Sequence, residues 1–295
     1  MAGAYRQDPG ERRLTVKPPS SAGHPAPMPA IGVFDSGVGG LTVLAALRRR
    51  LPRARLLYAA DSAYAPYGER DAAYVLQRSR VLTRFLLEQG AQLVVVACNT
   101  ATALAIAELR RQWPGVPFVG IEPAVKPALA ARADGDGPVG VLATPATLGS
   151  DKFRTLLQRH GGEAAVLLQP CPGLAEAIET RGPRDAATLA LLRRFCEPLR
   201  TAGCTRLVLG CTHYPLLADA IRDAFGEPPP QLLDPADAVA AQATRLAAGL
   251  PVLAASGSLW AWTNGDATRL RRVAEACGLL PDRVLPLPEP AAAPA

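Results

Sequence analysis

A cysteine and a histidine stand two positions apart in the segment LVLGCTHYPLL, residues 207–217. The first three residues predict a short buried strand, and Gly210 interrupts it just before Cys211 and His213. A thiol and an imidazole at this spacing could be two metal ligands, a nucleophile with its base, or an acid/base pair. A small buried cysteine beside a hydrogen-bonded core histidine, with no chemical role, is a fourth interpretation.

A second cysteine occupies a matching place earlier in the chain. Cys98 follows a β-branched strand pattern in LVVVACNTATAL, and it lies 113 residues before Cys211. Two further pairs of segments repeat in the same order: AIGVFDSGVGG at 30–40 with PVGVLATPATLGS at 138–150, and RLLYAADS at 55–62 with AVLLQPCP at 165–172. Three strand ends that recur in order, at nearly constant offsets, predict two similar α/β domains that arose by internal duplication.

Short apolar runs alternate with helical patterns along the chain. The predicted strands are Ala30–Phe34, Leu56–Ala60 and Leu93–Ala97, and the predicted helices are a segment from Leu41 that stops at Pro52, Val75–Glu88 with Gly90 as its cap, and Thr102–Trp113. This βαβαβα order is typical of a doubly wound parallel sheet. We expect a disordered tail at 1–29, a first domain at 30–122 and 237–289, a second at 123–236, and a frayed end at 290–295.

Polar side chains follow the predicted strand ends in both halves. They are Asp35, Ser36, Asp61, Ser62, Cys98, Asn99, Thr100, Thr144, Cys171, Cys211, Thr212 and His213. Ligands of open α/β sheets bind beyond the carboxyl ends of the strands. If the two domains face each other, Cys98 and Cys211 would approach one ligand from opposite sides.

Two thiols on opposite faces of a small molecule suit the inversion of a stereocentre. One thiolate removes a proton from a tetrahedral carbon, and the other thiol returns a proton to the opposite face. Asp35 could exchange a proton with Cys98, and His213 could do so with Cys211. The glycines of DSGVGG suit an anion, but Asp35 would repel a diphosphate, so an amino-acid or carboxylate ligand fits better. Hydroxyl and amide groups that could bind it come from Ser36, Asn99, Thr100, Thr144 and Thr212.

Other chemistries fit these residues less well. A zinc site could use Cys98, Cys171, Cys211 and His213, but only the last two form a local ligand pair. A cysteine hydrolase would leave the second thiol unexplained. A pyridoxal-phosphate enzyme needs a Schiff-base lysine, and the three lysines stand at 17, 126 and 152, outside any phosphate-binding pattern. We therefore expect neither a metal nor a cofactor.

Length and composition limit the remaining classes. The 295 residues suit two domains, and 49% hydrophobic with 20% charged residues is a globular composition. No apolar run reaches the ~20 residues that span a bilayer, and the N-terminus lacks the apolar region of a secretory signal. The net charge of +6 is spread over the chain, and aromatic residues are only 5%, so nucleic-acid binding is not indicated. We expect a cytoplasmic protein with free thiols and no membrane or nucleic-acid partner.

At these residues the chain resembles the glutamate racemases, within the aspartate/glutamate racemase superfamily. The matching segments are IGVFDSGVGGLTVL (31–44), YAADSAYAPYGER (58–70), VVVACNTATA (94–103), GVLATPATLGSDKF (140–153) and GCTHYPLL (210–217). Together, GCTHYPLL, DSGVGG and PYG are specific for glutamate racemases over aspartate racemases. The resemblance extends from about residue 30 to residue 289.

The resemblance implies a cofactor-independent, two-base interconversion of L- and D-glutamate, whose D-glutamate enters peptidoglycan and so supports the bacterial cell wall and cell shape. By position, Cys98 with Asp35 is the implied acid/base for D-glutamate, and Cys211 with His213 the one for L-glutamate. The implied substrate contacts are Ser36, Pro66, Tyr67, Gly68, Asn99, Thr100, Thr144, Thr147, Thr212 and Glu179, the last near the substrate amine. A surface helix carboxylate is the alternative interpretation of Glu179. The family is usually dimeric, so we expect a homodimer.

Two other functions remain open from the sequence. One is a binding module that kept the fold and captures acidic amino acids without catalysis. The other is a related racemase with a different substrate, or a decarboxylase that protonates one face. The retained pair of cysteines argues against both the binding module and the decarboxylase.

Overall fold

Two parallel β-sheets, each covered by helices, form the molecule. The structure is a computed structural model that describes residues 29–288 except 134, 161–164 and 251–256. The strands are β1 (Ala30–Asp35), β2 (Arg55–Ala60), β3 (Leu93–Val96), β4 (Phe118–Gly120), β5 (Val139–Ala143), β6 (Val166–Pro170), β7 (Arg206–Gly210), β8 (Gln231–Leu233), β9 (Leu259–Thr263) and β10 (Arg283–Pro286). The helices are α1 (Leu41–Arg50), α2 (Ala72–Glu88), α3 (Asn99–Gln112), α4 (Val125–Ala130), α5 (Pro145–Leu148), α6 (Asp151–Arg159), α7 (Leu174–Thr180), α8 (Ala186–Thr201), α9 (Ala218–Phe225), α10 (Ala236–Ala247) and α11 (Ala267–Ala276).

The two sheets share one strand order. The first sheet runs β10-β9-β2-β1-β3-β4 and the second runs β6-β5-β7-β8. All pairs within both sheets are parallel. The order β2-β1-β3-β4 in the first sheet matches β6-β5-β7-β8 in the second, so the repeated segments of the sequence occupy equivalent strands. The predicted fold class, two doubly wound parallel-sheet domains, is confirmed.

The six-stranded sheet is buried on both faces. Alternate residues of β1 point to opposite sides, so Val33 joins one apolar core and Phe34 the other. Residues of α1, α10 and α11, such as Leu44 and Ala243, pack on the first side, and residues of α2 and α3, such as Leu82, pack on the second. Burial on both faces is the reason the strands read as continuous apolar runs. We call this sheet with its helices the first domain.

The four-stranded sheet repeats this arrangement on a smaller scale. Val141 of β5 packs with Phe153 of α6 on one side, and Leu142 packs with Leu192 and Leu199 of α8 on the other. We call this sheet with its helices the second domain. No helix in the described part of the chain is both long and apolar enough to cross a membrane.

Two helices begin three residues earlier than the sequence pattern predicted. Helix α2 begins at Ala72, three residues before the predicted start, because the Asp71 side chain accepts a hydrogen bond from the Tyr74 amide and caps the helix. Helix α3 begins at Asn99 rather than Thr102, because Cys98 takes the N-cap position. The predicted tail, apart from residue 29, and the predicted frayed end lie outside the described residues.

Candidate active site

The carboxyl ends of β1 and β3 face those of β5 and β7 across a closed cleft. The Thr100 hydroxyl of the first domain lies 3.0 Å from the Thr144 hydroxyl of the second. The Thr212 hydroxyl of the second domain donates to Asp35 Oδ1 of the first at 3.3 Å. Polar residues predicted at the ends of β1, β3, β5 and β7 therefore meet where the two domains contact each other.

Cys98 lies at the end of β3, where its thiol caps the following helix. Its Sγ accepts a hydrogen bond from the Ala101 amide at 3.5 Å and donates to Ser36 Oγ at 3.7 Å. The residue is 5% exposed. Burial raises the pKa of the Cys98 thiol to about 12, and the nearby Asp35 carboxylate contributes to the rise. At neutral pH this group is therefore a thiol.

Cys211 lies at the end of β7 and faces a buried imidazole. Its Sγ is 3.7 Å from His213 Nδ1, and the opposite ring atom, Nε2, is 2.9 Å from Glu179 Oε1. Burial lowers the pKa of His213, but Cys211 and Glu179 together raise it well above the ordinary value. The ring therefore lies between the second thiol and a carboxylate, and these two neighbours favour its protonated form.

Glu179 is buried on α7, so the interpretation as a surface helix carboxylate is wrong. Besides His213, it accepts a short hydrogen bond from the Val38 amide of the glycine-rich turn. The helix packs through Leu174 and Ile178 into the core of the second domain, which directs the carboxylate toward the cleft. Glu179 connects the two domains and supports His213.

Asp35 holds the glycine-rich turn and contacts the second domain. Its Oδ2 accepts hydrogen bonds from the Gly37 amide at 3.2 Å and the Gly40 amide at 3.0 Å. Burial raises the pKa of Asp35, and His213 opposes that rise without cancelling it. The nearest hydrogen-bonding side chain to the Cys98 thiol is Ser36, not Asp35.

Hydroxyl and amide groups follow the ends of β3 and β5, where the two domains meet. Thr100, Thr144 and Thr147 form a closed triangle of hydroxyl contacts of 3.0, 3.3 and 2.9 Å. Both side-chain amide atoms of Asn99 are buried and have no hydrogen-bond partner among the described residues. A buried amide without partners is costly, so Asn99 is suited to bind a polar ligand.

The segment with Pro66, Tyr67 and Gly68 forms one edge of the cleft. A Cβ atom added to Gly68 would lie 2.7 Å from Cβ of Thr144, so the loop contacts the second domain closely. The hydroxyl of Tyr67 does not point to the cleft, because it donates a short hydrogen bond to Asp61.

Asp61 and Cys171 do not contact the cleft thiols through hydrogen bonds. Asp61 is fully buried and forms a bidentate ion pair with Arg78 of α2, which the sequence pattern did not identify. A helical pattern shows that Arg78 lies on α2 but not what it reaches across the fold. Cys171 belongs to the apolar core of the second domain, and its thiol donates to the Gln169 carbonyl at 3.3 Å. Within the described ranges, no three His, Cys, Asp or Glu side chains are grouped to hold a metal ion.

Known proteins resemble this chain along most of its length. The family model for Asp/Glu/hydantoin racemases matches residues 41–243. The glutamate racemases of Ectopseudomonas mendocina and Pseudomonas aeruginosa are 48% and 47% identical to it, over 82% and 83% of this chain and 92% of each relative.

Two solved structures share the fold. Escherichia coli glutamate racemase in complex with L-glutamate and the activator UDP-MurNAc-ala has a TM-score of 0.77 at 32% identity, over 88% of this chain and 98% of that one. Thermus thermophilus glutamate racemase in complex with β-chloro-D-alanine has a TM-score of 0.68 at 35% identity, over 88% and 97% of the two chains. Sequence and structure agree that this chain belongs to the Asp/Glu/hydantoin racemase family, among the glutamate racemases.

Proposed function

We propose that this protein interconverts L- and D-glutamate by two proton transfers without a cofactor, with Cys98 and Cys211 as the acid/base pair. The observation that carries the proposal is the placement of the two thiols at the ends of equivalent strands, β3 and β7, in facing domains. Each thiol has its own polar partner, Ser36 for the first and His213 for the second. A hydrolase or a decarboxylase would need only one such group.

The proton transfers balance as follows in the L to D direction. The Cys211 thiolate takes the Cα proton, so that a C–H bond breaks, an S–H bond forms, and the electron pair delocalises into the substrate carboxyl group. The Cys98 thiol then gives its proton to the opposite face, which forms a new C–H bond and leaves a thiolate. The product state has Cys211 protonated and Cys98 ionised, and this is the state that begins the D to L direction.

The surroundings of each thiol support these roles. The His213 imidazole lies 3.7 Å from the Cys211 sulfur, close enough to exchange a proton with it. Burial and the Asp35 carboxylate favour the thiol form of Cys98, the form that donates a proton. The geometry also favours a role for Glu179 that differs from the one implied by the resemblance, since it holds His213 in place rather than facing a substrate amine.

Substrate binding is assigned to the polar groups between the thiols. Asn99, Thr100, Thr144 and Thr147 offer donors and acceptors to the carboxylates and the amine of glutamate. Further contacts come from Ser36, Thr212 and the loop with Pro66, Tyr67 and Gly68. The complexes of relatives with L-glutamate and with β-chloro-D-alanine support an amino-acid substrate here.

The biological role follows from the same resemblance. We infer that the D-glutamate product is used for peptidoglycan synthesis in the cytoplasm, and that the protein acts as a homodimer. Neither a membrane nor a nucleic acid has a part in the proposed reaction.

One experiment tests the activity. The protein is treated with a chelator and incubated with L-glutamate in deuterated water, and the Cα proton signal and the optical rotation are followed. We expect the rotation to fall to zero while deuterium enters Cα. Loss of rotation with glutamate but not with aspartate supports the substrate assignment. A protein that binds glutamate without any exchange would instead be a binding module, and inactivation by the chelator would favour a metal site.

A further inference from the structure

A buried ion pair outside the reacting groups anchors one edge of the cleft. Asp61 is 0% exposed and its two oxygens accept from four donors. Arg78 provides two of them, Nε to Oδ2 at 2.8 Å and Nη2 to Oδ1 at 2.7 Å. Asn264 adds its Nδ2 at 2.7 Å, and the Tyr67 hydroxyl adds a fourth bond. With both oxygens occupied, Asp61 is a structural anion rather than a base.

The pair holds the loop that closes the cleft. Besides the bond from Tyr67 to Asp61, the guanidinium of Arg78 lies 3.6 Å from the centre of the Tyr64 ring, a cation–π contact. Two tyrosines of the segment 64–69 are therefore fixed by one buried pair on the first domain. The rigid fork of arginine suits this double task better than a lysine would.

The other end of this loop touches the second domain. Gly68 approaches Thr144 so closely that a Cβ atom would lie 2.7 Å from the threonine Cβ. The next residue, Glu69, accepts a hydrogen bond from the Gly173 amide at 2.7 Å. Glu69 is exposed, while Arg78 is buried, so the contacts at the tip and at the base of the loop can be altered separately.

We infer that Arg78 is a positioning residue for the racemisation. Through Asp61, Arg78 holds the loop 64–69 against Thr144, where the loop forms one edge of the substrate-binding cleft. This inference rests on the proposed function. Arg78 affects substrate binding rather than proton transfer, because the hydrogen bonds around Asp61 do not involve Asp35, His213 or either of the two cleft thiols.

The test compares steady-state kinetics of Arg78→Lys and Arg78→Met with those of the unaltered enzyme. We expect KM for both enantiomers to rise about 10-fold in Arg78→Met and less in Arg78→Lys, since misplacement of a substrate contact weakens binding. The dependence of kcat on pH should have the same shape as in the unaltered enzyme, since both thiols and His213 are intact. Arg80→Met is the control: Arg80 lies on the same helix in a more exposed ion pair with Glu108, so KM should stay within twofold.

Loss of one partner of a buried pair can prevent folding, so two further variants are needed. The double variant Asp61→Asn/Arg78→Met removes both charges and should show the raised KM in a folded protein. Glu69→Ala alters only the exposed tip, and should raise KM about threefold with an unchanged Tm. If KM stays within twofold in every folded variant while kcat follows the folded fraction, the role is only structural and the inference fails. An unaltered protein that racemises nothing overturns the proposed function, and this inference with it.

Discussion

The two thiols of the cleft have unlike surroundings. Burial and the nearby Asp35 carboxylate favour the protonated form of Cys98, whereas Cys211 lies beside the buried imidazole of His213. In the proposed reaction, these surroundings suit Cys98 as the proton donor and Cys211 as the proton acceptor for L-glutamate.

Replacement of either thiol by a hydroxyl should stop racemisation. We expect Cys98→Ser and Cys211→Ser each to lose about 10³-fold in rate, because serine is a far weaker acid than cysteine and cannot exchange protons with Cα at neutral pH. Optical rotation measured from both L- and D-glutamate checks this. Cys277→Ser is the control and should retain full activity, because Cys277 is the C-cap residue of α11 and is not a hydrogen-bond partner of either cleft thiol. Full activity in either cleft variant would contradict the two-base assignment.

The pKa of His213 depends on Glu179. Glu179→Gln removes one of the two groups that raise it, so the imidazole should titrate at lower pH than in the unaltered protein. We expect ¹³C-edited NMR to show His213 titrating above the ordinary value of ~6.5 in the unaltered protein and nearer to it in the variant. His213→Asn assigns the signal. Glu176→Gln, an exposed carboxylate on the same helix, should leave the titration unchanged.

The contact between His213 and Glu179 should also make the free energy of unfolding depend on pH. Because the folded pKa of His213 lies above the unfolded one, its stabilisation is full below about pH 6.5 and is lost as pH rises through the folded pKa. The difference in unfolding free energy between the unaltered protein and Glu179→Gln should therefore shrink at alkaline pH, as measured by urea unfolding. A difference that grows with pH would contradict the sign of the His213 shift.

The turns after the strands bring the two domains into contact through glycines. A Cβ atom on Gly37 would overlap Glu179, one on Gly39 would lie 2.6 Å from His213 Nδ1, and one on Gly68 would strike Thr144. Each glycine belongs to the first domain and each neighbour to the second. The glycines of the motif DSGVGG therefore permit the close approach of the two domains.

Gly39→Ala should keep the domains apart. The added methyl group would lie against His213 and Thr212, so we expect kcat/KM to fall about 100-fold with little change in Tm, because the clash lies between domains rather than inside a core. Gly115→Ala is the matched control, since a Cβ atom there meets nothing within 4 Å. Equal activity of the two variants would show that the cleft tolerates opening at this point.

Many of the strands and helices could be predicted from the sequence, because their patterns are local and occur in both halves of the chain. The similarity between the segments around Cys98 and Cys211 predicted that each follows an equivalent strand, and β-branched runs predicted the buried strands. The partners of Glu179 and Arg78 could not be predicted. A helical period shows which side chains share a face, but a contact between α7 and the turn at Val38 depends on the packing of two domains.

At the scale of the whole molecule, polar contacts join the domains beside the cleft. Arg269 of α11 donates to the Thr180 carbonyl at 2.7 Å, and Lys152 forms an ion pair with Glu122. Thr42 of α1 donates to the Thr212 carbonyl at 3.5 Å. Polar contacts of this kind are individually weak, so they should contribute little to stability, and a ligand bound between the domains should contribute much more.

Glutamate should therefore stabilise both domains together. A ligand that binds only the folded protein adds about 2.7 kcal/mol at 100 times its Kd, and this shared gain should raise the Tm of both domains. Two probes separate them: all three tryptophans, Trp113, Trp260 and Trp262, lie in the first domain, while far-UV circular dichroism reports both. We expect D- or L-glutamate to shift the two transitions by the same amount, and lysine, which lacks the second carboxylate, to shift neither. A shift in tryptophan fluorescence alone would place the ligand in one domain and contradict a shared site.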